Sequence, residues 1–550
     1  MLKLKAIVFS FLLPVWMTIS AASSVFAVTG DVETSFPSPG SCPTGLTFDG
    51  KYLWNCDRKT DIIYKIDPGS GEVLDSLPSP GYRPLGLTWD GKYLWNLDAS
   101  EEEYFIYQID PQSRLVVKTL WAPCSRPEGL AWDGEFLWIV DDGDQEIHQI
   151  STEDGTTINT IPSPSKYPCG LAYDGKYLWV TDRIKDMIYM ISPDEGDVIL
   201  FFESPGKYAR GLAWDGNNLW NVDYQTDEIY KIRILDEELF SRSEEKEELL
   251  EFTHQFRNYG PGVVKDLDIY MAVPENLSNQ ELLSEIEYSR EPDGFLTDKW
   301  GQKVAHYRFQ NLQATEFVTV GMKAKAKLFN VNYYIFPEKT GELKDIPEEI
   351  TERFLADDTK YSVNDPFIQQ STKQAVGDET SPFWIARKIF NHVVDHVTYG
   401  RVGGWNIAPT VLKRGTGSCS EFAFVYIAMS RAAGLPARYV GCVVVRGDDA
   451  SADEVFHRWV EVYLPNYGWI PVDPSWREYP TPADEARAFG TLRNRYLITT
   501  TGGGGSEYLE WGYNSNERWT SQGKCKVYSE HIGEWSPLKA KEESTDGKSK

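Results

Sequence analysis

The chain has 550 residues, 41% hydrophobic and 13% aromatic, which is too long for one core and apolar enough for several. Its formal charge of -27 excludes a protein that coats nucleic acid or anionic membrane, because both need a basic face. The seven cysteines stand at wide, irregular spacings, which excludes a structural zinc site built from paired Cys-x-x-Cys units. Their odd number leaves at least one thiol outside any intramolecular bridge.

The first segment, MLKLKAIVFSFLLPVWMTISAASSVFA (1–27), has two lysines, an apolar stretch and a small-residue end with Val25 and Ala27 before a cleavage point. This pattern predicts a signal peptide, a mature chain starting near Val28, and a secreted, periplasmic or cell-surface protein. No cysteine follows Ala27, so a bacterial lipid anchor is not expected there. No later apolar run is long enough to span a bilayer.

Residues 28–235 repeat. GLTFDGKYLWNCD (45–57) returns as GLTWDGKYLWNLD (86–98), GLAWDGEFLWIVD (129–141), GLAYDGKYLWVTD (170–182) and GLAWDGNNLWNVD (211–223), at spacings of 41, 43, 41 and 41 residues. In each unit an Asp-Gly turn joins two short alternating runs, and two more strand-like pieces follow. A period near 40 with about four strands per unit predicts β-propeller blades. DVETSFPSPG (31–40) matches the last strand of a unit but precedes the first, and the fifth copy lacks that strand. The N-terminal strand therefore closes a five-bladed ring and removes its edges. Trp54, Trp95, Trp138, Trp179 and Trp220 are expected to pack between blades, and Asp57, Asp98, Asp141, Asp182 and Asp223 to hold turns. His148 stands where the other units carry Tyr64, Tyr107, Tyr189 and Tyr230, so it is read as packing. The blades resemble bacterial extracytoplasmic propellers with Leu-Trp-x-x-Asp repeats. That group includes binding modules and enzymes, so the fold implies no activity.

Residues 236–250 are charged and are read as a linker or short helix. Residues 251–357 turn strand-like between Asn, Gly and Pro turns, which predicts an all-β sandwich. Its His254 and His306 are isolated in the sequence and are read as satisfied core or surface groups.

The chemistry concentrates in 358–500. Residues 381–399 have helical spacing, with His392 and His396 four apart, but Val393 stands where a zincin helix needs Glu. GTGSCSEFAF (415–424) is different. Ser418 and Glu421 fit a capping box, which puts Cys419 at the first turn of a helix ending at Gly434. Exposed N–H groups and the helix dipole there favour a thiolate and can hold an oxyanion. FHRWVEVYLP (456–465) alternates as a strand, a turn follows at 466–468, and WIPVDPSW (469–476) returns. His457 and Asp473 thus fall on adjacent antiparallel strands. Packing them against the Cys419 helix would assemble a Cys-His-Asp triad. Tyr399 and Trp405 are both candidate oxyanion donors. The acidic stretch 447–454 is read as a solvated lid-like loop. Cys442 is read as packed, with a bridge to Cys525 as an alternative. Residues 501–550 are read as an extension ending in a disordered charged tail.

Through Gly417, Cys419 and Ala423, then RAAGLPARYVGC (431–442), then HRWVEVYLPNYGWIPVDPSW (457–476), the chain resembles the transglutaminase-like superfamily. The resemblance implies a papain-like α+β core with Cys419 as nucleophile, His457 as acid and base, and Asp473 as the orienting carboxylate. The expected function is a secreted thiol enzyme acting on peptide or amide bonds through a thioester, with hydrolysis favoured over amine transfer. No cofactor and no metal are expected, and the expected partner is a protein or peptide substrate. The alternative is an inert extracellular binding protein whose propeller recognises a cell-surface or extracellular ligand.

Overall fold

The structure is a computed structural model that describes residues 28–100, 103–234, 239–401, 405–476 and 481–538. The signal peptide expected at 1–27 and the disordered tail expected at 539–550 lie outside the described residues.

Five four-stranded antiparallel sheets occupy the first part of the chain. Their inner strands, from Pro43–Phe48 to Ala209–Trp214, meet one another in a closed ring. The strand Val32–Pro37 pairs with Glu228–Arg233 and completes the fifth blade, so the ring has no open seam. The leading glycines of the repeat have a steric cause. A Cβ on Gly45, Gly86, Gly129, Gly170 or Gly211 would strike the next blade's inner-strand backbone at Leu85, Leu130, Cys169, Arg210 or Thr44 respectively. The five tryptophans are buried, and each indole Nε1 donates to the aspartate of its own Asp-Gly turn at 2.8–2.9 Å. The second set of aspartates ties turns; the Asp57 carboxylate accepts from the backbone of Cys42, Lys59 and Thr60. His148 is buried beside Thr160. The ring axis is crossed by an Arg210–Glu128 ion pair at 2.8 Å.

The middle region is built on one 33-residue strand, Phe240–Ala272. Its first half pairs with Phe317–Tyr333 and its second with Lys303–Leu312. Bulges at 258–266 mark where it crosses from one layer to the other, as strands do at sandwich corners. Leu250, Phe252 and Phe256 from one layer and Leu267, Ile269 and Met271 from the other share one core.

Three expectations are corrected here. Residues 240–250 are strand, because their charges are satisfied across the ladder: Glu247 stands opposite Lys327, and Lys327 also reaches Glu245 at 3.2 Å. Residues 343–357 are not sandwich strand, since they hold a short 3-10 turn and the helix Glu348–Phe354. The extension 501–550 contributes the strand Ser515–Pro537, which runs antiparallel along the long strand from Met271 to Glu248. Only Ser515, Gly533 and Trp535 of that strand are fully buried, so it carries almost no apolar alternation to read.

The last region packs the helices Pro366–Val376, Pro382–His396, Ala408–Arg414 and Cys419–Ala432 beside a four-stranded sheet. That sheet has the order Gly468–Val472, His457–Leu464, Ala437–Val444, Tyr496–Gly502. The propeller docks on this region. Trp179 and Phe202 share a core with Phe383 and Phe390, and the buried Arg387 donates to Asp197 at 3.2 Å.

Candidate active site

The Cys419–Ala432 helix is buried through nearly all its length. Its start is set by local hydrogen bonds: the Ser418 N–H donates to Glu421 Oε2 at 3.0 Å, the reach-back half of a capping box. The helix closes at Gly434, whose φ of 80° takes the left-handed form. Glu421 does more than cap. Its carboxylate also accepts from Asn406 N, Asn406 Nδ2 and Arg414 Nη2 at 3.1, 2.9 and 3.0 Å. Burial opposes its ionisation, yet these donors hold its pKa below the ordinary carboxylate value. One buried carboxylate thus joins the Cys419 turn to the segment carrying Trp405.

Cys419, His457 and Asp473 converge. His457 is the first residue of its strand and stands opposite Cys442. Its Nε2 meets Asp473 Oδ2 at 2.6 Å. Asp473 directly follows the neighbouring strand, and its other oxygen accepts from Ser475 N at 3.1 Å and Ser475 Oγ at 2.7 Å. The Cys419 thiol is close enough to His457 and to the backbone N–H of Arg458 for both to favour its ionised form. Burial opposes the thiolate, but the hydrogen bond and charge of His457 outweigh it, so the Cys419 pKa falls below that of a free thiol. Burial likewise opposes the imidazolium, and Asp473 and the sulfur together raise the His457 pKa well above its ordinary value. Asp473 is held below the carboxylate range by His457 and Ser475 against its own burial. All three shifts favour the charged forms, thiolate, imidazolium and carboxylate.

Two recesses flank this group. One, about 590 Å³, is lined by Cys419, Tyr399, Trp405, Phe456 and Tyr513. The other, about 310 Å³, is lined by His457, Asp473, Trp476, Arg493 and Tyr496. Tyr399 borders both. It is placed by a two-residue parallel pairing of Thr398–Tyr399 with Thr416–Gly417. Both oxyanion candidates stand at the cleft with partly exposed rings, Tyr399 at 38% and Trp405 at 40%.

Several residues here were not legible in the sequence. Arg458 is fully buried, with its guanidinium over the rings of Tyr513, Tyr439, Trp405 and Phe424 at 4.4–5.4 Å. It also donates to the Trp511 carbonyl. It therefore ties the cleft wall at 511–513 and Trp405 to the His457 strand. The only available signal was a charge on the strand face opposite His457 and Trp459. Asp453 is the second. The stretch 447–454 is not a fully solvated lid, because Asp453 is buried and accepts from Val444 N at 2.7 Å, Arg446 Nε at 2.9 Å and Phe456 N at 3.0 Å. That bracket sets the start of the His457 strand.

Cys442 and Cys525 are both free thiols. His392 and His396 stack at 4.0 Å but belong to no cluster of three metal-ligating groups among the described residues. Two such clusters do occur, Cys124 with Asp141 and His148, and His254 with Glu517 and His531. In the first, the carboxylate already accepts from Ser125 N, Arg126 N and Gly143 N at 2.7–2.9 Å, which makes it a turn brace. His254 is not isolated, since strand pairing sets it directly against His531.

Compared with known proteins, residues 369–474 match the family model of the transglutaminase-like superfamily. That span contains Cys419, His457 and Asp473. No curated protein matches the chain. Among solved structures, the chain is similar to a candidate cysteine protease from Cytophaga hutchinsonii at 15% identity and a TM-score of 0.39, over 55% of this chain and 94% of that one. It is also similar to the glutaminyl cyclase of Myxococcus xanthus at 12% identity and a TM-score of 0.34, over 38% of this chain and 100% of that one. Virginiamycin B lyase from Staphylococcus aureus gives 17% identity and a TM-score of 0.26, over 36% of this chain and 83% of that one.

Proposed function

Residues 369–474 form a transglutaminase-like domain, and from that premise we propose that the protein is an exported thiol enzyme acting on peptide or amide bonds. The observation that supports this most is the His457 Nε2–Asp473 Oδ2 contact at 2.6 Å, with the Cys419 thiol under the influence of the same imidazole. In the proposed reaction the Cys419 sulfur attacks the acyl carbon, and the carbonyl electron pair moves to oxygen. N–H groups at the helix start stabilise that oxyanion. The carbonyl re-forms, the C–N bond breaks, and His457 gives its proton to the leaving amine. Asp473 keeps the imidazole in the required tautomer. Water then attacks the thioester carbonyl as His457 takes its proton, the C–S bond breaks, and the acid leaves while Cys419 returns to the thiolate beside the imidazolium. Hydrolysis is favoured over amine transfer because the cleft rims at Tyr399 and Trp405 are open to solvent. Export rests on the leader pattern at 1–27. Among the described residues no helix is long and apolar enough to cross a membrane.

The test is to trap the acyl-enzyme by intact mass with a peptide library, then offer water alone or an added primary amine. The expected result is a Cys419 adduct that decays to free acid in water. A Cys419→Ala protein that processes the same peptides at the parent rate would overturn the proposal. Release that requires the amine would instead assign transfer.

A further inference from the structure

The second cluster lies outside the Cys419–His457–Asp473 group and brings three metal-ligating side chains together. His254 comes from the long strand Phe240–Ala272, and His531 stands directly across from it on Ser515–Pro537. Glu517 belongs to the other end of that C-terminal strand, opposite Ile269 in the second layer. Because the strand bends between the layers, Glu517 returns to face both imidazoles. His254 Nε2 and His531 Nε2 lie 3.5 and 3.8 Å from the same oxygen, Glu517 Oε2. Ser529 Oγ lies 3.1 Å from the first nitrogen and 3.3 Å from the second. A tetrahedral Zn²⁺ with bonds of about 2.0–2.1 Å spaces its donors roughly 3.3–3.4 Å apart, and these separations of 3.1–3.8 Å lie close to that spacing. The other nitrogen of His254, Nδ1, is 3.0 Å from Ser515 Oγ. Such an outer partner orients a ligating imidazole and selects its tautomer.

Two imidazoles and one carboxylate suit a transition ion such as Zn²⁺ over Ca²⁺ and Mg²⁺, which require oxygen ligands. His254 is fully buried, but His531, Ser515 and Asn516 line the cleft that also holds Cys419, which gives an ion a route in from solvent.

We propose that His254, Glu517 and His531 bind one Zn²⁺, with Ser529 beside the open fourth position. The ion staples the two layers of the sandwich through the C-terminal strand. The cleft wall at 511–516 leads directly into that strand, so the staple also fixes the wall beside Cys419.

The test uses the full-length chain carrying Cys419→Ser, which removes the reactive thiol as a competing ligand. The protein is stripped with chelator, titrated with ZnCl₂, and followed by calorimetry, bound-metal analysis and thermal melting. The expected result is one zinc per chain that survives dialysis and raises the melting temperature. His531→Ala and Glu517→Gln should each weaken binding by at least about 100-fold, and Ser515→Ala by about 10–100-fold. X-ray absorption on the zinc-loaded protein needs no ligand variant to fold, and should show only nitrogen and oxygen neighbours. No stoichiometric zinc, a sulfur neighbour, or affinity unchanged in folded His531→Ala and Glu517→Gln proteins would overturn the site and leave a metal-free hydrogen-bonded cluster.

Discussion

Replacing Asp473 with Asn tests the charge order of the candidate site without changing its shape. Asp473 Oδ1 accepts from Ser475 N and Ser475 Oγ, and Oδ2 faces His457 Nε2. In Asp473→Asn the amide oxygen must stay at the Ser475 side, because an amide nitrogen there would meet the Ser475 N–H donor to donor. The NH₂ group is thereby aimed at His457 Nε2 and donates to it. The ring proton moves to the nitrogen on the thiol side, where His457 can no longer accept from Cys419. The carboxylate that raised the His457 pKa is gone as well. A Cys419 without its imidazolium returns toward a free thiol of pKa ~8.5, which is only ~0.3% ionised near pH ~6. Alkylation of Cys419 by iodoacetamide at that pH should slow by up to about 300-fold. Turnover of any peptide substrate should fall by ~10⁴, or ~5.5 kcal/mol in the barrier. Alkylation followed by intact mass across pH ~5 to ~9 needs no known substrate. In the parent, the pKa of Cys419 is lowered and that of His457 raised, so reactivity is present above the lowered thiol value and lost as pH falls through it. A variant profile that overlays the parent's would refute the ion-pair account.

Other outcomes follow from the same structure. Glu421→Gln must turn its NH₂ toward two of four donors, which costs about 2–4 kcal/mol and should appear as a lower denaturation midpoint. Because the Glu421 pKa is depressed in the fold, its stabilisation is present above the ordinary carboxylate value and lost as pH falls through the folded one. Acid melting of the parent that the variant reproduces unchanged would contradict this. Gly170→Ala drives a methyl into the Arg210 carbonyl of the next blade and should destabilise the propeller by about 1–3 kcal/mol; an unchanged calorimetric transition would remove the steric reason for the repeated glycine. Arg387→Met leaves Asp197 without its buried guanidinium at a cost of about 3 kcal/mol, and should expose the propeller junction to limited proteolysis, with digestion at the parent rate as the contrary result.

The sequence determined whatever recurs or acts locally. The propeller was legible because one steric and packing solution, an inner glycine and an interblade tryptophan, is written five times. Cys419, His457 and Asp473 were legible because a capping box and a two-strand turn set their positions over short chain distances. Only tertiary structure decided the rest. The Ser515–Pro537 strand pairs with a segment some 250 residues earlier and presents a largely solvated face, so no local periodicity announces it. Arg458 looks like a surface charge until four rings from separate elements close over it. His254 looks solitary until a folded strand brings His531 and Glu517 to it. Backbone spacing and caps act within a few residues and leave a pattern in the text, whereas a long-range contact is specified by the whole chain's burial and leaves none.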